Sequence, residues 1–188
     1  MFALVHPDAA IAIRTLIALV FLSAATAKMR HWTIFHGVVA NYRLLPVVLV
    51  GPVTYALPPV EAAIGATLPT GLIAPWTEVA AALLLGAFAV AMAINLLRGR
   101  RHIDCGCFQG ALRQPLRWTL VIRNALLGLL LVVAVEAPSG RPDGWTVVNG
   151  LLAGCALFVV LQALNAMWAI IPALRRPGRP GVPMENTL

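Results

Sequence analysis

Apolar residues in this chain come in long unbroken runs, without the every-other-residue alternation of a half-buried strand. The first, AAIAIRTLIALVFLSAATA, covers about 9–27 and holds Arg14 as its single charge. Four more follow at about 46–73, 76–97, 118–135 and 145–171. A helix needs roughly 20 apolar residues to cross the hydrocarbon of a bilayer. Only helices or closed barrels can span, because backbone polar groups find no water there. With no barrel alternation, the pattern predicts an all-α polytopic transmembrane bundle of about five spans.

The punctuation between runs refines this. Lys28, Arg30 and His31 close the first span at an interface. WTIFHGVVANYRLL, 32–45, has helical spacing with His36, Asn41 and Arg43 among its apolar residues. That reads as a short interfacial helix lying on the bilayer. Within 46–75, Pro52, Pro58, Pro59 and Pro69 should bend or break a helix. One kinked crossing is the preferred reading, with two half-helices returning to one face as the alternative. Trp76 opens the third span, residues 98–115 form a polar loop, and Pro115 is a start signal for the fourth. Residues 1–174 read as one transmembrane domain whose first span is retained rather than cleaved as a signal. The Pro/Gly-rich basic tail, 175–188, reads as disordered.

Composition agrees with the pattern. The 188 residues are 60% hydrophobic and 11% charged, where soluble chains carry about 25% charged residues. The formal net charge of +7 would point to nucleic acid in a soluble protein, but here the basic residues sit at span ends and loops. No nucleic-acid partner is expected; the partner implied is the lipid bilayer. Five crossings put Lys28, Arg30, Arg43, the arginines of 98–117 and those of the tail on one face. The opposite loops carry Arg141 alone among lysines and arginines. The positive-inside tendency makes the basic face cytoplasmic, and the 98–115 loop with it.

That loop carries the chemistry. RRHIDCGCFQG, 100–110, places Cys105 and Cys107 one glycine apart, beside His102 and Asp104. Three readings stay open. The pair can alternate between dithiol and disulfide, with His102 exchanging a proton, since a thiolate is the attacking species. His102, Cys105 and Cys107 can instead bind a soft metal ion. Or the cysteines are structural. Cys155, deep in the fifth span, reads as a small buried apolar residue. A redox role would need an outside partner or a quinone, because no second cysteine pair exists in the sequence. No cofactor is expected from the residues, and quinone use has no support in them.

Charged residues inside spans should face the bundle interior. Arg14, Glu61 and Arg123 are such positions, with Asn124 as an interhelical hydrogen-bonding residue. Glu61 is expected to pair with Arg14, Lys28 or Arg123. Glu78 reads as a charge favoured by a helix N-terminus.

AKMRHW after the first span, NYRLLP before the second, PPVEAAIG within it, CGCFQG in the loop and IRN in the fourth span carry a resemblance. The chain resembles the methylamine utilisation MauE family, among the DoxX-like integral membrane proteins. The family's cysteine pattern is Cys-Gly-Cys-Phe-Gly; here Gln109 stands before Gly110. The resemblance implies a bacterial inner-membrane protein that assists maturation of methylamine dehydrogenase. It implies work with the thioredoxin-like protein MauD on processing or disulfide formation of the enzyme's periplasmic small subunit. Cys105 and Cys107 would then be the redox pair. A membrane metal-delivery protein using His102, Cys105 and Cys107, and a non-catalytic scaffold for maturation factors, are the alternatives. A periplasmic task and a cytoplasmic loop conflict.

Overall fold

The computed structural model describes residues 6–71, 73–100, 116–135 and 142–174, with side chains as far as Met167. Their helices are α1 (Pro7–Arg30), α2 (Trp32–Tyr42), α3 (Val47–Thr67), α4 (Trp76–Leu97), α5 (Trp118–Val135) and α6 (Gly144–Leu174). All but α2 are long and apolar enough to cross a membrane. The chain is thus an all-α bundle with five candidate spans and one short helix after the first.

Each boundary has a local cause. Pro7 occupies the first turn of α1 with Asp8 beside it, where a missing N–H costs nothing and a carboxylate meets the positive end of the helix dipole. Arg43 ends α2 in the left-handed region at φ 47°. Helix α3 runs unbroken through Pro52, Pro58 and Pro59, so one helix occupies the stretch in place of two halves. Its buried stripe is Val50, Thr54, Pro58, Glu61 and Gly65, while Pro52 and Pro59 lie on the exposed side. A one-turn 3-10 helix, Leu68–Thr70, and Gly71 at φ 61° finish it.

Helix α1 is the axis of the bundle, packing on α3, α5 and α6. Small residues allow this closeness. A Cβ added at Gly154 of α6 would lie 2.5 Å from Thr15 Cβ, and one at Gly65 of α3 would lie 2.9 Å from Leu22 Cγ. Close backbone approach is how membrane helices gain van der Waals contact when lipid is as apolar as their side chains. Helices α1 and α6 run parallel, since Gly150 meets Asp8 and Ile11 while Gly154 meets Ala12 and Thr15. Leu16, Ile17 and Phe21 of α1 pack with Leu85 of α4 and Leu127 and Leu131 of α5 to form the main core. Helices α4 and α5 form a second tight pair, whereas α3 and α4 touch along only a short stretch. Exposed Leu83, Val90, Leu129, Val132 and Val159 form the apolar exterior that lipid contact requires.

Both anchors of the cysteine loop are well defined. Helix α4 ends in a left-handed Gly99 at φ 75°. The Gly99 N–H donates to the Leu96 carbonyl and the Arg100 N–H to the Asn95 carbonyl, each at 3.0 Å. This is a Schellman cap, which satisfies carbonyls the helix leaves over. Arg100 Nη1 then donates to the Asn41 carbonyl at the end of α2, at 3.2 Å. On the return side Leu116 is buried against Met92, Leu96 and Leu120.

Candidate functional site

His102, Cys105 and Cys107 fall in 101–115, outside the described residues. What the structure supplies is the frame around them. At that end of the bundle α2 lies across α3, and α4 approaches from the other side. Between them is a cavity of about 290 Å³. Its walls are apolar, including Val38, Tyr42, Leu57, Leu84, Phe88 and Met92. Among the described residues Lys28 is the one charged side chain on that lining.

Lys28 is only 2% exposed and Glu61 is fully buried. Lys28 Nζ donates to Glu61 Oε1 across the α1–α3 interface. The same ammonium lies 4.8 Å from the ring centroid of Phe88 and 5.2 Å from that of Phe35, within reach of cation–π attraction. A charge this deep has to be paired, and the carboxylate and two ring faces do that. The sequence leaves three partners open for Glu61; the geometry selects Lys28. It also corrects the placement of Lys28, which belongs to the interior and not to the interface.

The other predicted interior charges go elsewhere. Arg14 Nε meets Glu78 Oε1 at 3.0 Å, and Thr77 Oγ1 donates to Glu78 Oε2 at 3.1 Å. Glu78 sits in the first turn of α4, as expected, and is there the buried partner of an arginine. Arg123 Nη1 donates to Asn165 Oδ1 of α6 at 3.1 Å. Asn124, buried, donates from Nδ2 to the Leu120 carbonyl at 2.9 Å in its own helix. Arg14, Glu61 and Arg123 thus serve three separate polar sites. Cys155, read as buried, is exposed on the outer side of α6. Among the described residues no group of three His, Cys, Asp or Glu could hold a metal.

Sequence reasoning misses Phe35 and Phe88, the burial of Lys28 and the pairing of Glu78 with Arg14. One signal was available. Arg14 and Lys28 are 14 residues apart, about four helical turns, so they share a face of α1. Two basic residues on one face of a central helix call for two buried acids, and α3 and α4 each offer one.

The cavity and the loop share structure. Tyr42, Phe88 and Met92 line the cavity and also belong to the cluster that holds Leu116. The two anchors of the loop thus lie beside a pocket whose charged group, among the described residues, is the Lys28 ammonium.

A family profile described as "Methylamine utilisation protein MauE" matches residues 7–136, from α1 through the loop to the end of α5. The chain is 45% identical to the methylamine utilization protein MauE of Paracoccus denitrificans over 85% of its own length and 88% of the relative's. It is 42% identical to that of Paracoccus versutus over 79% and 81%, and 42% identical to that of Methylorubrum extorquens over 69% of each chain. No solved structure matches. The chain belongs to the methylamine utilisation protein MauE family.

Proposed function

We propose that this protein is a thiol–disulfide partner in the bacterial inner membrane, serving methylamine utilisation. Its substrate would be the cysteines of the methylamine dehydrogenase small subunit, and its co-reactant the thioredoxin-like protein MauD. The observation that carries the reading is the Cys105-Gly106-Cys107 loop between two candidate spans, anchored on both sides by described structure. Family membership and the relatives' printed role in methylamine utilization support the setting.

The exchange balances without further reagents. A thiolate of the subunit attacks one sulfur of the Cys105–Cys107 disulfide, forming a mixed disulfide and releasing the other cysteine as thiolate. A second subunit thiolate then displaces the loop. The subunit gains a disulfide, and the loop gains two electrons and two protons as a dithiol. Exchange with the disulfide form of the MauD partner restores the loop. His102, three residues before Cys105, takes up and returns the proton, the exchange imidazole is suited to.

Orientation gives the test. Direct exchange with a secreted subunit needs the loop on the periplasmic side, whereas the basic residues around it favour the cytoplasmic side. Burial of Lys28 removes one residue from that basic count but leaves exposed Arg30, Arg43 and Arg98. Intact cells are treated with a membrane-impermeant maleimide, and labelling of Cys105 and Cys107 is read against the Cys105→Ser/Cys107→Ser variant. The proposal expects labelling from outside after mild reduction, and loss of mature dehydrogenase in the variant. Labelling only after permeabilisation overturns direct exchange. Normal dehydrogenase in the double variant overturns the redox role altogether.

A further inference from the structure

The cavity between α2, α3 and α4 has a chemistry of its own. It lies between the short helix α2 and the candidate spans α3 and α4 and is partly open. Its walls are apolar apart from Tyr42 and the buried Lys28, the one charged residue of the lining among the described residues. An ammonium offers three N–H donors and no acceptor. Glu61 engages Lys28 through Oε1, and among the described residues the ring faces of Phe35 and Phe88 also lie against Nζ. The pair is neutral overall, so an anionic headgroup gains little there. The best fit is a flat, apolar, uncharged ring bearing a hydrogen-bond acceptor.

We infer that this cavity binds the ring of an isoprenoid quinone, with Lys28 donating to a ring carbonyl and Phe35 and Phe88 flanking the ring. About 290 Å³ lies at the small end of ligand pockets, which run from about 300 Å³ upward. It suits a headgroup, with the isoprenoid tail leaving through the open side into lipid. The short contact between α3 and α4 leaves room for that exit. Tyr42, Phe88 and Met92 connect the cavity wall to the anchor of the cysteine loop.

The electron route rests on the thiol-exchange reading above. The Cys105 and Cys107 thiols lose two electrons and two protons and close a sulfur–sulfur bond. The quinone takes both electrons and both protons and becomes the quinol. The bilayer then supplies a second oxidant for the loop, an alternative to the disulfide form of the MauD partner.

The test uses the full chain in phospholipid nanodiscs with decylubiquinone, taking empty nanodiscs as the blank. Saturable binding is expected, weakened about tenfold or more, or about 1.4 kcal/mol, by Ala91→Phe, which fills the cavity. A second variant, Lys28→Met/Glu61→Met, removes the donor without leaving a lone buried charge and should weaken binding similarly. The Cys105→Ser/Cys107→Ser variant should bind as the wild type does. Binding that never saturates, or that Ala91→Phe leaves unchanged, overturns the site. The two claims separate cleanly. Saturable binding sensitive to Ala91→Phe, without quinol formation by the reduced wild type, upholds the site and refutes the electron route. Quinol formation that Ala91→Phe does not alter refutes the site while thiol exchange stands.

Discussion

Lys28 and Glu61 set the energetic character of the interior. Taking two charges out of water is expensive, and the attraction between them offsets that cost only while both are present. Glu61→Leu leaves the ammonium buried against two rings, and a loss of roughly 3–5 kcal/mol is expected for a broken buried pair. Lys28→Met/Glu61→Met removes both charges and should recover most of that loss. Unfolding by sodium dodecyl sulfate in mixed micelles checks the order. A double variant as unstable as Glu61→Leu would mean the pair is not coupled as the geometry requires. Arg14 differs, because its side chain is 20% exposed; water can partly solvate its charge, so Glu78→Gln should cost less than Glu61→Leu in the same titration.

At the scale of elements, helix packing rests on small residues at close approaches. A Cβ at Gly154 would meet Thr15 Cβ at 2.5 Å and the Ala12 carbonyl oxygen at 2.7 Å, neither of which can yield without moving α1. Gly154→Leu therefore should cost about 1–3 kcal/mol, the range for overpacking. Gly86→Leu on α4, where a Cβ meets nothing within 4 Å, serves as the control and should change little in the same unfolding titration. Equal effects would show that the α1–α6 contact is not tight.

The apolar runs made these elements legible because hydrophobic length alone decides whether a helix can span. The left-handed stop at Arg43 and the extension of α6 to Leu174 depended on local geometry that composition does not record. The proline-rich stretch was ambiguous because proline removes hydrogen bonds without dictating where the chain goes. Its buried side carries Thr54, Pro58, Glu61 and Gly65, and Glu61 and Gly65 meet α1. Partner choice was the least legible feature. Arg14 and Glu78 are far apart in sequence, and only the α1–α4 arrangement joins them. Lys28 looks like any basic residue that closes a span, and its burial follows from α2 folding across it, which no local pattern announces. The cysteine pair stands out in sequence for the opposite reason: its proposed chemistry rests on residue type and spacing.

For the whole molecule, the ends of the bundle differ. Trp76 and Trp145 are exposed at the end where α1 begins, and Trp118 at the end where the cysteine loop attaches. Tryptophan favours the membrane–water interface, so these rings frame the hydrocarbon between the Arg14–Glu78 pair at one end and the loop anchors at the other. The loop end carries Arg30, Arg43, Arg98 and Arg100, the last tied to α2. The cavity opens within that same half. Charge, cavity and the anchors of the cysteine loop therefore gather at one end of the protein, and the account stands or falls with the sulfur chemistry of that loop. The most direct measurement is mass spectrometry of the 101–113 peptide, acid-trapped and alkylated from membranes of cells assembling methylamine dehydrogenase. The account predicts Cys105 and Cys107 in both forms, joined and reduced, with a partner peptide disulfide-linked to the remaining cysteine in a Cys105→Ser or Cys107→Ser single variant. Cysteines that stay wholly reduced in every sample, with no partner attached, would contradict it.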